Sequence, residues 1–160
     1  MKTLSLLLFL ICLSLVARGQ EVWTEVDLHV NGISSGTSYS KIAKRVGTPS
    51  RVRKIGFDDC GGGFLKTLYY SGLKIGVLSD AKGRNYKVIS IEVTSSKWKI
   101  APRIRIGSDK GFVRSKFGKP ISGWPGKNVL DYVTKENLGG VTFFFNGTKL
   151  IRVTMQETLC

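Results

Sequence analysis

The side chains best suited to catalysis are His29, the only histidine, and Cys60, which could serve as base and nucleophile. His29 falls in the alternating stretch 26–30, where a strand side chain needs no catalytic reason. Cys60 has a competing partner in Cys160. A zinc centre needs three or four nitrogen or sulfur ligands, and one histidine with three cysteines at these spacings does not supply them. Asp58 and Asp59 are adjacent, without the spaced series of oxygens that a calcium loop requires. The run of glycines at 61–63 lacks the Lys-Ser/Thr that completes a phosphate-binding loop. These residues point away from an enzyme, a metal or a cofactor and toward a binding protein.

Two surfaces compete for that role. Lys and Arg number 25 against 11 Asp and Glu, a balance that bears on partners more than on fold. Lys41, Lys44, Arg45, Arg103, Arg105, Lys110, Arg114 and Lys116 gather on or near two predicted helices, with Arg51, Arg53, Lys54, Lys97 and Lys99 close by in sequence. If the helices share one layer, these cations make a surface for nucleic acid, anionic lipid or anionic glycan. The rival surface is aromatic. Tyr69, Tyr86 and Phe144 fall on strand positions opposite the expected core set, and Trp124 sits in a Gly/Pro-rich loop. With Arg152 they have the composition of a protein interface, and protein binding is the leading expectation, with a polyanion as the alternative.

The compartment follows from the first nineteen residues. Lys2, an apolar run over 4–16 and small residues at Ala17 and Gly19 read as a secretory leader cut before Gln20. The run is too short for an ordinary membrane span. Cys12 lies inside it after Ile11, without the small residue that precedes a lipoprotein cysteine, so no lipid anchor is expected. The mature chain would lack a transmembrane segment, would be periplasmic or secreted, and would carry +12 once Lys2 and Arg18 are removed. An oxidising compartment favours a bond between the two remaining cysteines, Cys60 and Cys160. Closing so long a loop could add up to about 4.7 kcal/mol in the chain-entropy model.

The elements that must position these residues emerge from self-comparison. GTSYSKIAKRVGTP at 36–49 aligns without gaps on GSDKGFVRSKFGKP at 107–120. Each copy has a glycine, a Thr or Ser (Thr37, Ser108) suited to helix capping, an apolar pair four apart (Ile42 and Val46; Val113 and Phe117), then Gly-x-Pro to end the helix. Strands follow, with Leu68 and Tyr70 matching Leu130 and Tyr132, and Ile89, Ile91 and Val93 matching Ile151, Val153 and Met155. Alternation predicts those last two sets to face the core, with Val88, Ser90, Glu92 and Leu150, Arg152, Thr154 facing away. Asn146-Gly147 predicts a type I′ hairpin. The first copy holds extra residues within 50–66, predicted to be a long flexible loop that the disulfide ties down. The expected architecture is α+β, with two tandem repeats, 20–96 and 97–160, each a short helix packed on an antiparallel sheet.

Helix, Gly-x-Pro and antiparallel strands together resemble the SmpA/OmlA outer-membrane lipoproteins, and their tandem duplication is similar to the β-lactamase inhibitor protein fold. The resemblance rests on Gly36, Ile42, Val46, Gly47 and Pro49, then on Gly107, Val113, Phe117, Gly118 and Pro120, and covers almost the whole mature chain. It implies a helical layer on a curved sheet whose free face and loops bind an exported or envelope protein. It also implies a bacterial source.

Overall fold

The computed structural model describes residues 25–100, 103–121, 128–134 and 139–160. The expected leader and Trp124 lie outside the described residues. Two helices, α1 (Tyr39–Val46) and α2 (Lys110–Phe117), punctuate eight strands: β1 (Glu25–Val26), β2 (Arg51–Asp58), β3 (Gly63–Tyr70), β4 (Leu73–Leu78), β5 (Lys87–Val93), β6 (Val129–Thr134), β7 (Gly139–Asn146) and β8 (Lys149–Glu157). The strands form one sheet in the order β1-β6-β7-β8-β5-β4-β3-β2. Every pairing is antiparallel except the two-residue contact of β1 with β6. The chain is therefore α+β.

The helices stop where the sequence says they should. Gly47 and Gly118 take φ of 82° and 75°, and their amides close the last turn onto Ala43 and Arg114. Their starts differ from expectation. Ser38 and Asp109 hold the N-cap positions and make no side-chain capping bond. The Thr37 and Ser108 hydroxyls instead accept from the Ser34 and Arg105 amides, bracing the turn that leads into each helix. α1 buries Ile42, and α2 buries Val113 and Phe117, against a single core that covers one face of the sheet. Phe117, Tyr132 and Phe143 stack there with ring centroids 5.0–5.7 Å apart.

Apart from β2, the strands are where predicted, but the alternation breaks at a matching place in each half. Gly76 pairs with Ser90 and Val77 with Val88, so Ile89 is the extra residue of a β-bulge. Phe144 pairs with Arg152 and Phe145 with Leu150, so Ile151 is extra in the same way. A bulge resets the two-residue period. Val88 and Leu150 consequently join the core, while Ile151 is exposed and Ile89 is left half-buried, reversing the expectation for all four. The β7–β8 turn also differs. Asn146 pairs with Lys149, and Gly147 rather than Asn146 has positive φ (58°), the pattern of type II′ rather than I′.

The predicted loop at 50–66 is a strand and a turn. β2 pairs along its length with β3 and forms the outer edge of the sheet. Cys60, in the turn that follows, is bonded to Cys160 beyond β8, with Cα atoms 5.3 Å apart and 100 residues between them.

A set of backbone contacts recurs in the second half. Gly36 donates to Val88 and Gly107 to Leu150; Val88 donates to Thr37 and Leu150 to Ser108. Tyr70 and Tyr132 each donate a hydroxyl hydrogen bond to the helix-ending glycine, Gly47 (3.4 Å) and Gly118 (3.2 Å). Burial pushes the Tyr132 hydroxyl up to about 12, opposed by the Arg114 charge. An unfolded phenol ionises near 10, so between about pH 10 and 12 the unfolded chain releases its proton first and stability falls as pH rises. Urea titrations across that range should show the stability gap between wild type and Tyr132→Phe shrinking with pH. A gap that stays constant would show that the hydroxyl is not held neutral by the fold.

Candidate functional site

Two short arches build a highly charged cavity. Val30 and Ile33 exchange backbone hydrogen bonds across a tight turn, and Ile100 and Ile104 exchange the same pair of bonds. Val30 also bridges to Ile100, so the two arches meet. Their apolar side chains are fully buried, as they must be at a contact between two backbones. Asn31 clamps the contact from both sides: its amide donates to Lys99 O (2.9 Å), and its Oδ1 accepts from the Lys99 amide (3.0 Å). Asn31 does this at φ 50°, a left-handed conformation that asparagine tolerates better than most residues.

The cavity above this junction has a volume of about 920 Å³. Lys44 and Arg45 reach it from the last turn of α1, Lys97 and Lys99 from the link after β5, and Arg103 and Arg105 from the second arch. Those six cations share the lining with His29, Asn31 and Gly32, and none of the described lining residues is a carboxylate. Gly32 has φ 75°, and a Cβ there would stand 3.1 Å from Arg45 Nη1, so its lack of a side chain lets the guanidinium lie against the turn. His29 is paired at 2.9 Å with Asp27, which is itself largely exposed. Buried Trp98 fixes the link, its indole N–H donating to Ser71 O (2.9 Å) and its ring edge-on to Tyr70. Six like charges around one cavity repel each other, and a bound anion would relieve that repulsion.

Of the cations expected to form a polyanion surface, the fold brings Lys44, Arg45, Arg103 and Arg105 together and adds Lys97 and Lys99. Lys41, Lys110, Arg114 and Lys116 do not line the cavity. Lys110 sits over the Phe145 ring and Lys116 over the Phe112 ring. Lys41 and Arg114 are exposed on their helices.

The aromatic set divides as well. Tyr69 and Phe144 occupy the sheet face opposite the core, as expected, each beneath a guanidinium: Arg51 lies 4.2 Å from the Tyr69 centroid and Arg152 lies 3.8 Å from that of Phe144. Tyr86 corrects its expectation. It precedes β5 and packs against the core cluster beside Tyr39, with the Lys66 ammonium 3.7 Å over its ring. Among the described residues no helix covers the opposite face of the sheet, and a Lys74–Glu92 ion pair (2.8 Å) lies near its middle.

The catalytic candidates are not assembled. Cys60 is spent in the disulfide, while His29 lines the basic cavity and pairs with Asp27, which does not. Among the described residues no group of three or more His, Cys, Asp or Glu is placed to hold a metal. No helix among them is long and apolar enough to cross a membrane.

Compared with known proteins, the chain matches no family model and no curated sequence. A solved structure that it resembles loosely is an extracellular protein containing an SCP domain from Bacillus anthracis str. Ames, at 17% identity and a TM-score of 0.49. The match covers 78% of this chain and 44% of that protein's length.

The clamp at the junction is testable. Asn31→Ala removes one hydrogen bond and places alanine in a left-handed conformation, a combined cost of about 1–3 kcal/mol in urea unfolding. Asn31→Gly removes the bond without the conformational penalty and should cost less. Equal stability of all three proteins would mean that the clamp carries no weight.

Proposed function

We propose that this chain is an exported, non-enzymatic binding protein made of two copies of one α+β unit, and that it holds a multiply charged anionic ligand in the basic cavity where the copies meet. The observation that carries the ligand is the convergence of six Lys and Arg side chains, from three separate chain segments, on one cavity with no carboxylate among its described lining residues. Surface lysines that serve only solubility are ordinarily interspersed with acids. The duplication is supported by the recurring contacts: the helix-ending glycines, the tyrosines that reach them, and the bulges at Ile89 and Ile151. It agrees with the resemblance of each half, 20–96 and 97–160, to the SmpA/OmlA unit. The Cys60–Cys160 bond supports export to an oxidising compartment, periplasmic or extracellular.

An exported protein more often meets an anionic glycan, polyphosphate or lipid headgroup than nucleic acid, and all of these share closely spaced negative groups. A second reading, binding of an exported protein through the uncovered sheet face, is favoured by the two stacked pairs, Arg51 on Tyr69 and Arg152 on Phe144.

Titration of residues 20–160 with heparin, polyphosphate and phosphatidylglycerol vesicles at increasing salt separates these readings. The cavity reading expects affinity for one of the three to fall steeply with salt. It expects Lys97→Glu/Arg103→Glu to weaken that binding at least about tenfold and to flatten the salt slope. Binding that is insensitive to salt, or unchanged in the double variant, overturns it.

A further inference from the structure

β2 is an unusual strand. All but one of its eight residues are exposed and none is buried, so it adds no side chain to the core that stabilises its neighbours. It is nonetheless held in place, by its ladder to β3 and by the disulfide two residues beyond its end. Among the described residues no strand lies beside its outer edge. An edge of this kind presents unpaired backbone N–H and C=O groups.

Its side chains say what could cover it. Seven large apolar side chains are exposed among the described residues, and four of them, Val52, Ile55, Phe57 and Phe64, lie on β2 or its neighbour β3. By the register with β3, Arg51 and Arg53 lie on one face of β2, and Val52, Lys54 and Phe57 on the other. The one acid of the strand, Asp58, is engaged by the Gly61 amide (2.6 Å). A cavity of about 440 Å³ lies beside the strand, lined by Lys54 and Lys66 with Phe64 and Tyr86. A second copy of the chain pairing here would set cations against cations, and like charges opposed across strands are destabilising. The bulge at Ile55, skipped between the Lys54–Lys66 and Gly56–Leu65 pairs, further disfavours a flat copy-to-copy ladder. The same features favour a partner strand of opposite charge.

We propose that the free edge of β2 is a strand-addition site for an extended segment of a partner protein in which carboxylates alternate with apolar side chains. The partner backbone would complete the β2 ladder, its carboxylates on one face would meet Arg51 and Arg53, and its apolar residues on the other would cover Val52 and Phe57. This surface is separate from the junction cavity, and neither depends on the other.

The probe is an octapeptide alternating glutamate and valine, with fluorescence anisotropy as the readout on the intact oxidised protein. The peptide should bind. N-methylation of every second amide in one register should weaken it at least about tenfold, and N-methylation in the other register should change it by less than about twofold, because only one side of a strand bonds to an edge. Arg51→Glu/Arg53→Glu should lose at least about tenfold. Lys41→Glu/Arg114→Glu, which makes the same change of net charge on the helices, should lose less than about twofold. The proposal is overturned if the peptide does not bind, if the two methylation registers behave alike, if both charge pairs lose equally, or if polyglutamate of equal charge binds as well.

Discussion

The antiparallel pairing of β5 with β8 is the contact on which the rest of the molecule depends. It joins Ile91 to Met155, Glu92 to Thr154 and Val93 to Val153, and among the described residues it is the only ladder between the chain before the link and the chain after it apart from the two residues of β1. Without it, each half would be a small sheet with an open central edge and a core too small to stand alone. Through it, Ile91, Val93, Val153 and Met155 enter a single core. The register is symmetric, since Ile91 and Val93 pair with the counterparts of Val93 and Ile91, and the sheet grows outward from a local two-fold relation. Because both strands carry the bulge near their starts, their outward and inward residues change over in matching places.

That same pairing creates the cavity. The arches at 30–33 and 100–104 precede the two helices, and they come together because the sheet has brought the halves side by side. Lys44 and Arg45 arrive from one direction, Lys97 and Lys99 from the link, Arg103 and Arg105 from the other arch. No local rule of secondary structure asks for six cations there. Apolar surface buried beneath them, with Trp98 and Ile100 at its centre, offsets the repulsion in the free protein.

Much of this was legible in the residues. Gly-x-Pro after an apolar pair located both helices and their ends, because glycine at positive φ and proline after it act locally. Strand positions were legible from apolar alternation, but their facing was not: nothing in KVISIEV marks Ile89 as the extra residue, since the bulge shows only in the pairing with Gly76 and Val77 on the neighbouring strand. β2 was hidden for the opposite reason. A strand exposed on both faces has no hydrophobic period to read, so Arg51 to Asp58 passed for a basic loop. Half of the expected polyanion set, Lys44, Arg45, Arg103 and Arg105, lines the cavity because the last turn of α1 and the second arch come together there. Tyr86 was misplaced because the bulge at Ile89 turns Val88 toward the core, and Tyr86, two residues before it, follows.

The central claim is that anion binding belongs to the junction and not to the positive charge of the molecule at large. Amide chemical shifts of the 15N-labelled protein, followed during titration with polyphosphate, test it most directly. The account predicts that perturbations concentrate at residues 29–32, 44–45 and 97–105 and saturate together, with α2 and the uncovered sheet face unmoved. Shifts that spread evenly over exposed lysines and arginines, or that centre on Tyr69, Phe144 and Arg152, would contradict it.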